Sequence, residues 1–361
     1  MAIALFDTDT ALAPLRPAIR ERVLAVLDGG RYILGPEVQA FERELATYLG
    51  VRHVIGVGNG TDAITIALRA LGVGPGAEVV VPSFTFYATA EAVASFGAKP
   101  VFCDIDPLTR NVTPETVRAA LTPSTKAIVA VDLFGCPAPV PALRELGLPV
   151  VEDAAQAMGA RFDGRRAGAL GDAATISFYP SKNLPCLGDG GAIATDDDGV
   201  AELARSLRFH GSRDKETFDQ VGYNSRLDEV QAAVLRVLLP ELDRWSDGRR
   251  ATARAYAEGG LGDYVTLPGV PEIAEPAWHL FVVVHPRADE LRTALNEAGI
   301  AARSYYRTPL HLQPAMAGCG VAGELAATVE LARSNLAVPM GPTLTEDQVA
   351  EVVAAVSSAL A

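Results

Sequence analysis

Apolar residues along this chain follow two periods that alternate with one another. After Gly35-Pro36, Val38, Phe41, Leu45 and Tyr48 share one helical face, while Glu37, Glu42, Arg43 and Glu44 lie off it. Pro36 suits a first helical turn, and Gly50 suits the position just past the last one. Residues 54–57 read as a buried strand, and Gly58-Asn59-Gly60-Thr61-Asp62 opens a helix over about 63–71, capped by Thr61 or Asp62. Further strand patterns fall at 78–81, 101–104, 126–133, 149–153, 173–178 and 191–195, with a helix over 89–96. Short apolar runs alternating with helical patterns predict an α/β fold with a largely parallel sheet. Residues 227–257 form a long helical pattern broken near Pro240. Beyond it come a strand at 278–285, a helix at 289–298 and a strand at 301–306. Thr345-x-x-Gln348 announces a last helix carrying Val349, Val352, Val353 and Val356. The chain is therefore expected to divide into a large domain, 1–240, and a smaller α+β domain, 241–361.

Charge narrows the class. Of the 361 residues, 31 are Lys or Arg and 44 are Asp or Glu, a formal net charge of −13. That balance argues against a nucleic-acid partner, which needs clustered positive charge, but leaves room for a phosphate in one pocket. With 49% hydrophobic residues, the chain has ample apolar area to offset its conformational entropy. No uncharged apolar run reaches the roughly 18 residues of a membrane span. The opening Met-Ala-Ile-Ala-Leu-Phe-Asp lacks the basic start of a signal peptide. A cytoplasmic protein is expected, with no membrane partner. Cys103, Cys136, Cys186 and Cys319 form no CxxC pair and read as free thiols, and no metal ligand set is expected.

Three loops hold the candidate chemistry. The glycine turn at 58–62 sits between strand and helix, where unpaired N–H groups and the helix dipole favour a phosphate; a plain capped turn accounts for the same residues. It is neither a GxGxxG nor a Walker loop. Glu152-Asp153 ends an apolar strand, and only one of the two can face each side of it. An acid there could hold a protonated ring nitrogen or serve as a helix cap. Lys182 lies between Tyr179 and Leu184, ahead of Gly188-Asp189-Gly190-Gly191. Lysines are mostly solvated surface charges, but a desolvated one becomes a nucleophile. Aromatics at Phe84, Phe86 and Tyr87 follow another strand and could pack in the core or stack on a flat ring. An anion turn, a strand-end acid and a loop lysine together match the needs of pyridoxal 5'-phosphate (PLP).

In order and spacing, Glu152-Asp153-Ala154-Ala155-Gln156-Ala157, Ser177-Phe178-Tyr179-Pro180-Ser181-Lys182-Asn183-Leu184 and Gly222-Tyr223-Asn224-Ser225-Arg226-Leu227-Asp228 resemble the DegT/DnrJ/EryC1/StrS sugar aminotransferases. These are PLP enzymes of fold type I, with the aspartate aminotransferase-like fold: a large domain on a mostly parallel mixed sheet and a smaller α+β domain. The resemblance runs from Gly30-Arg31-Tyr32 to Val338-Pro339-Met340. It implies that Lys182 bonds the cofactor and then carries the proton between the substrate carbon and C4′. It also implies that Asp153 pairs with the ring nitrogen, Gln156 sits beside the ring and Phe86 stacks on it. Gly60, Thr61 and Ser177 would hold the phosphate, and Asn224 would reach it from the second subunit of a homodimer with shared sites.

The resemblance further implies transfer of an amino group from L-glutamate to a keto group of a nucleotide-diphosphate-linked sugar, with C3 preferred over C4. Where many relatives read His-Tyr-Pro before Pro-Leu-His, this chain reads Ser304-Tyr305-Tyr306-Arg307-Thr308-Pro309-Leu310-His311. Tyr305, Tyr306 and His311 are the substrate-side candidates, joined by Tyr32 and Arg226 from the partner; core packing for Tyr32 and an ion pair for Arg226 account equally for those two. The alternatives are a non-transaminating PLP enzyme, a regulatory or sensor protein of the same fold and, on the glycine turn alone, a dinucleotide-dependent dehydrogenase. Lys182 disfavours the sugar dehydratases, which carry histidine there, and the missing GxGxxG disfavours a dehydrogenase.

Overall fold

The computed structural model describes residues 2–361. Seven strands and a two-residue edge pair build one eight-stranded sheet. They are β1 (His53–Val57), β2 (Glu78–Pro82), β3 (Lys99–Cys103), β4 (Thr125–Val131), β5 (Val150–Asp153), β6 (Ala173–Ser177) and β7 (Gly191–Thr195), with Gly320–Val321 beside β3. The order is β1-β7-β6-β5-β4-β2-β3. Pairs among β2 to β6 are parallel, while β7 runs antiparallel to both β6 and β1. The carboxyl ends of β1, β2, β5 and β6 therefore meet along one edge, the usual place for a ligand in an open α/β sheet.

The apolar runs are continuous because both faces of the sheet are covered. Alternation puts Val79 and Val81 on one face with Ile64 and Leu68 of the helix Gly60–Ala70. Val80 faces the other way, into a cluster with Ile128 and Leu143. The helix Gly60–Ala70 starts earlier than the spacing suggested. Asn59 is its cap, its side chain accepting from the Asp62 amide at 2.8 Å, so neither Thr61 nor Asp62 fills that role. In the helix Pro36–Leu49, Val38, Phe41 and Leu45 are buried as expected. Leu49 replaces Tyr48 in the core. Tyr48 turns its hydroxyl to Asp243 Oδ1 at 2.7 Å, with the Arg166 guanidinium over its ring.

That helix has no cap of its own at Gly35. Glu229, at the start of a distant helix (Glu229–Leu238), supplies one: its carboxylate accepts from the amides of Gly35 (2.7 Å), Glu37 (2.9 Å) and Val38 (3.0 Å). A Cβ at Gly35 would sit 2.6 Å from Glu229 Oε2, so this close approach needs glycine. At roughly 1.5–3 kcal/mol for a hydrogen bond to a charged group, Glu229→Ala is expected to cost about 3 kcal/mol or more. Urea unfolding checks it; a loss under about 1 kcal/mol would remove Glu229 from this role.

Tyr256 of the helix Leu242–Glu258 forms a separate apolar cluster with Phe281, Leu291, Leu295 and Val352, which Ile3 joins from the other end of the chain. The break near Pro240 is a short 3-10 turn, Leu239–Glu241. Two expected strands differ. The first shrinks to Phe281–Val284, because Trp278 takes a left-handed φ of 44° and ends the extension. Its partner is Asn335–Val338, whereas 301–306 contributes only a single bridge, Arg303 to Ala337, before turning toward the sheet edge. No helix among the described residues is long and apolar enough to cross a membrane.

Candidate active site

A cavity of about 820 Å³ opens at the carboxyl edge of the sheet. One wall is the glycine turn after β1. Gly60 and Thr61 open their helix with amides that no other group among the described residues bonds, and both line the cavity. The approach is close: a Cβ at Gly60 would lie 2.8 Å from Ser177 Cβ, and one at Gly191 would lie 2.5 Å from the Asn59 backbone. Ser177, the last residue of β6, faces the same space. Unpaired amides at a helix N-terminus, a serine hydroxyl and no intervening side chain fit a phosphate group.

The strand-end acids separate as alternation requires. Glu152 is buried on the far side, its carboxylate accepting from the Gly168 and Leu170 amides (2.7 Å each) and from Gly171 at 3.3 Å. It is a structural group. Asp153 faces the cavity, held by the Ala155 amide and the Thr89 hydroxyl, each at 3.2 Å. Burial raises the Asp153 carboxyl, and the Ala155 amide, the Lys182 charge and the Thr89 hydroxyl pull it back.

Lys182 lies in the loop after β6 and lines the same cavity. Burial lowers its pKa from 10.5 to about 8, and the Asp153 charge moderates that fall. The result is an amine that is available near neutral pH, with a counter-charge beside it. An aldehyde cofactor carrying a phosphate and a basic ring nitrogen fits this set: amine, acid and anion turn are all present at one site.

The remaining walls are aromatic and polar. Gln156 accepts from the Phe134 amide at 2.9 Å and donates to the Tyr306 hydroxyl at 3.3 Å. Both Gln156 and Tyr306 line the cavity. Tyr306 has its ring 6.2 Å from that of Phe86, which is 55% exposed toward the opening. Burial pushes the Tyr306 phenol upward, so it stays protonated. Tyr305 stands next to it at the cavity wall.

Four expected site residues lie outside this chain's own cavity. His311 turns away, its Nδ1 hydrogen-bonded to Ser83 Oγ at 2.6 Å. Asn224 is exposed and bridges Phe209. Arg226 lies over the Phe209 ring at 5.8 Å, and Tyr32 is 49% exposed. Conversely, the cavity includes residues that the sequence did not single out: His279, Arg292, Arg303 and Arg307. His279 stacks on Phe6, and burial beside the Lys182 and Arg249 charges holds it well below its usual pKa, so it is neutral. An interior histidine has no spacing signal. Arg303 and Arg307 had one, as positive charges flanking Tyr305-Tyr306 in an acidic chain, whereas Arg292 lies on the helix Ala288–Glu297 before them.

An eight-stranded, mostly parallel sheet with a desolvated lysine, an acid and unbonded helix amides at its carboxyl edge has the fold and the groups of a PLP-dependent enzyme. The chain belongs to the DegT/DnrJ/EryC1/StrS aminotransferase family, whose family model matches residues 15–357. It is 46% identical to the dTDP-3-amino-3,4,6-trideoxy-alpha-D-glucose transaminase of Streptomyces venezuelae, over 98% of this chain and 95% of that protein. It is equally 46% identical to a protein of Geobacillus stearothermophilus named as a pleiotropic regulatory protein, over 98% and 97%. Among solved structures, DesV of S. venezuelae superposes with a TM-score of 0.95 at 45% identity, covering 99% of this chain and 98% of that one.

Proposed function

We propose that this enzyme moves an amino group from L-glutamate to the C3 keto group of a nucleotide-diphosphate-linked sugar, for an amino sugar of a natural product or surface polysaccharide. The observation that carries the reading is the convergence of Lys182, Asp153 and the Gly60 and Thr61 amides on one cavity. The C3 preference draws on the S. venezuelae relative, which is named for a 3-amino sugar. Its relative named as a regulator does not change the reading, because Lys182 and Asp153 are both in place here.

Bound PLP supplies a carbonyl that takes up the amino group and a ring that accepts the electron pair left at the substrate carbon. Gly60, Thr61 and Ser177 hold the phosphate. Asp153 would pair with the ring nitrogen and favour its protonated form. Lys182 Nζ would bond the cofactor and, once released as a free amine, would carry the proton at the substrate carbon, taking it up in the donor half and delivering it in the acceptor half. Gln156 would sit beside the ring and Phe86 would stack on its face, since both line the cavity. Tyr305 and Tyr306 border the sugar. Asn224, Tyr32 and Arg226 of the partner subunit complete the site in a homodimer; the exposure of Asn224 and Tyr32, beside exposed Ile33 and Val221, supports that placement.

The test is the visible spectrum of the purified protein with PLP, before and after L-glutamate. A bound-cofactor band that glutamate converts to the amino form is the expected result. A band that glutamate leaves unchanged would sink the donor assignment, and no band at all would favour a regulatory protein.

A further inference from the structure

Three arginines converge at the outer wall of the active-site cavity: Arg292, Arg303 and Arg307. They differ in how they are held. Arg307 pairs with both carboxylate oxygens of Asp289, its Nη2 donating at 2.7 Å, and Arg292 reaches the same carboxylate at 3.3 Å. Asp289 itself does not line the cavity, so it braces the two arginines from behind. Arg303 has no ion pair and no side-chain hydrogen bond among the described residues; its guanidinium lies 5.2 Å from the centroid of the Tyr305 ring. Three guanidinium charges against one carboxylate leave a local charge of +2, in a chain of net charge −13. The other acids on the cavity wall are Asp153, facing Lys182, and Asp189, in the loop after it. Glu290, next to Asp289, is taken by Arg287.

We propose that Arg303, with Arg307 and Arg292 braced by Asp289, binds the diphosphate of the acceptor substrate. This rests on the nucleotide-sugar reading above and deepens it by placing the anionic half of that substrate. Guanidinium groups match phosphate oxygens in planar, paired geometry, and Arg303 is the one with its donors free. Position separates this ligand from glutamate. Arg303 and Arg307 are exposed at the rim, whereas Lys182 is desolvated at the floor. The α-carboxylate of glutamate is attached to the reacting carbon and must sit near Lys182. A diphosphate is joined to the sugar at C1, several bonds from the ketone, and extends toward the rim. Its two negative charges match the +2 there.

The experiment titrates dTDP, UDP and GDP into the PLP-loaded enzyme by calorimetry, with thymidine and uridine as uncharged controls. At least one nucleotide is expected to bind, with affinity that falls as salt rises. Arg303→Ala is expected to weaken it about tenfold or more, as loss of a charge-assisted phosphate contact does, and Arg303→Lys to restore part of it. Arg307→Ala should weaken it too, and thymidine or uridine should bind wild type and variants alike. The rate at which glutamate converts the bound cofactor is the second readout. Unchanged nucleotide affinity in Arg303→Ala overturns the assignment. So does an equal fall in the glutamate rate, which would give the cluster to the donor's carboxylate. If the wild-type enzyme binds none of the three nucleotides while glutamate still converts the cofactor, the nucleotide-sugar acceptor itself is overturned and the aminotransferase class stands.

Discussion

Lys182→Ala is expected to abolish amino transfer while leaving the protein folded. Removal of a group that serves as both nucleophile and proton carrier costs roughly 10³-fold or more in kcat. The fold should tolerate the change, because Lys182 lies in a loop at the cavity rather than in the sheet. A circular dichroism spectrum matching wild type, with no conversion of cofactor by glutamate, is the expected pair of results. Normal turnover would sink the mechanism.

The native lysine also carries a pH signature. With its pKa near 8, roughly a tenth of it is free amine at pH 7, against about 0.04% for an ordinary lysine. The sign follows from burial, which disfavours the charged form. Capture of PLP by the cofactor-free protein should therefore speed up about tenfold from pH 6 to 7 and level off above about pH 8. A rate still climbing through pH 10 would mark an ordinary, solvated amine.

Asp153→Asn carries the second large effect. The amide keeps the shape, so the Ala155 amide can still donate to the side-chain oxygen and the Thr89 hydroxyl can accept from the new NH₂. What disappears is the negative charge. Two consequences separate a role in chemistry from one in packing. Loss of a preorganised charge at the reacting group should lower kcat by roughly 10²–10³-fold. The same loss removes the attraction that now moderates Lys182, so the lysine pKa should fall below about 8 and the pH profile of PLP capture should shift to lower pH. Single-turnover kinetics with glutamate and that profile test both. If kcat stays within about threefold of wild type, Asp153 has no part in the chemistry.

Much of this was legible along the chain because it depends on local order. The strands of the large sheet were readable as apolar runs, since both faces of that sheet are covered and no polar alternation interrupts them. The break near Pro240 and the Thr345 capping box are local rules that the structure keeps. Lys182, Asp153 and the 58–62 turn were legible because each follows a strand, and parallel strands bring their following loops to one edge. Misreadings arose where a local pattern had two solutions. Leu49 and Tyr48 both fit the helical stripe, and a partner 195 residues away decided between them. Residues 301–306 read as a strand between two turns, yet strand Phe281–Val284 pairs with the fully buried Asn335–Val338.

The sequence by itself determined the class of fold, the order of its elements and the family to which the chain belongs. These follow from periodicity, turn chemistry and a few spaced motifs, all of which are properties of neighbouring residues. Only the tertiary structure decided how far Lys182 is desolvated and that three arginines share one wall with Tyr305 and Tyr306. Burial and charge proximity come from segments far apart in the chain, and no local pattern encodes them.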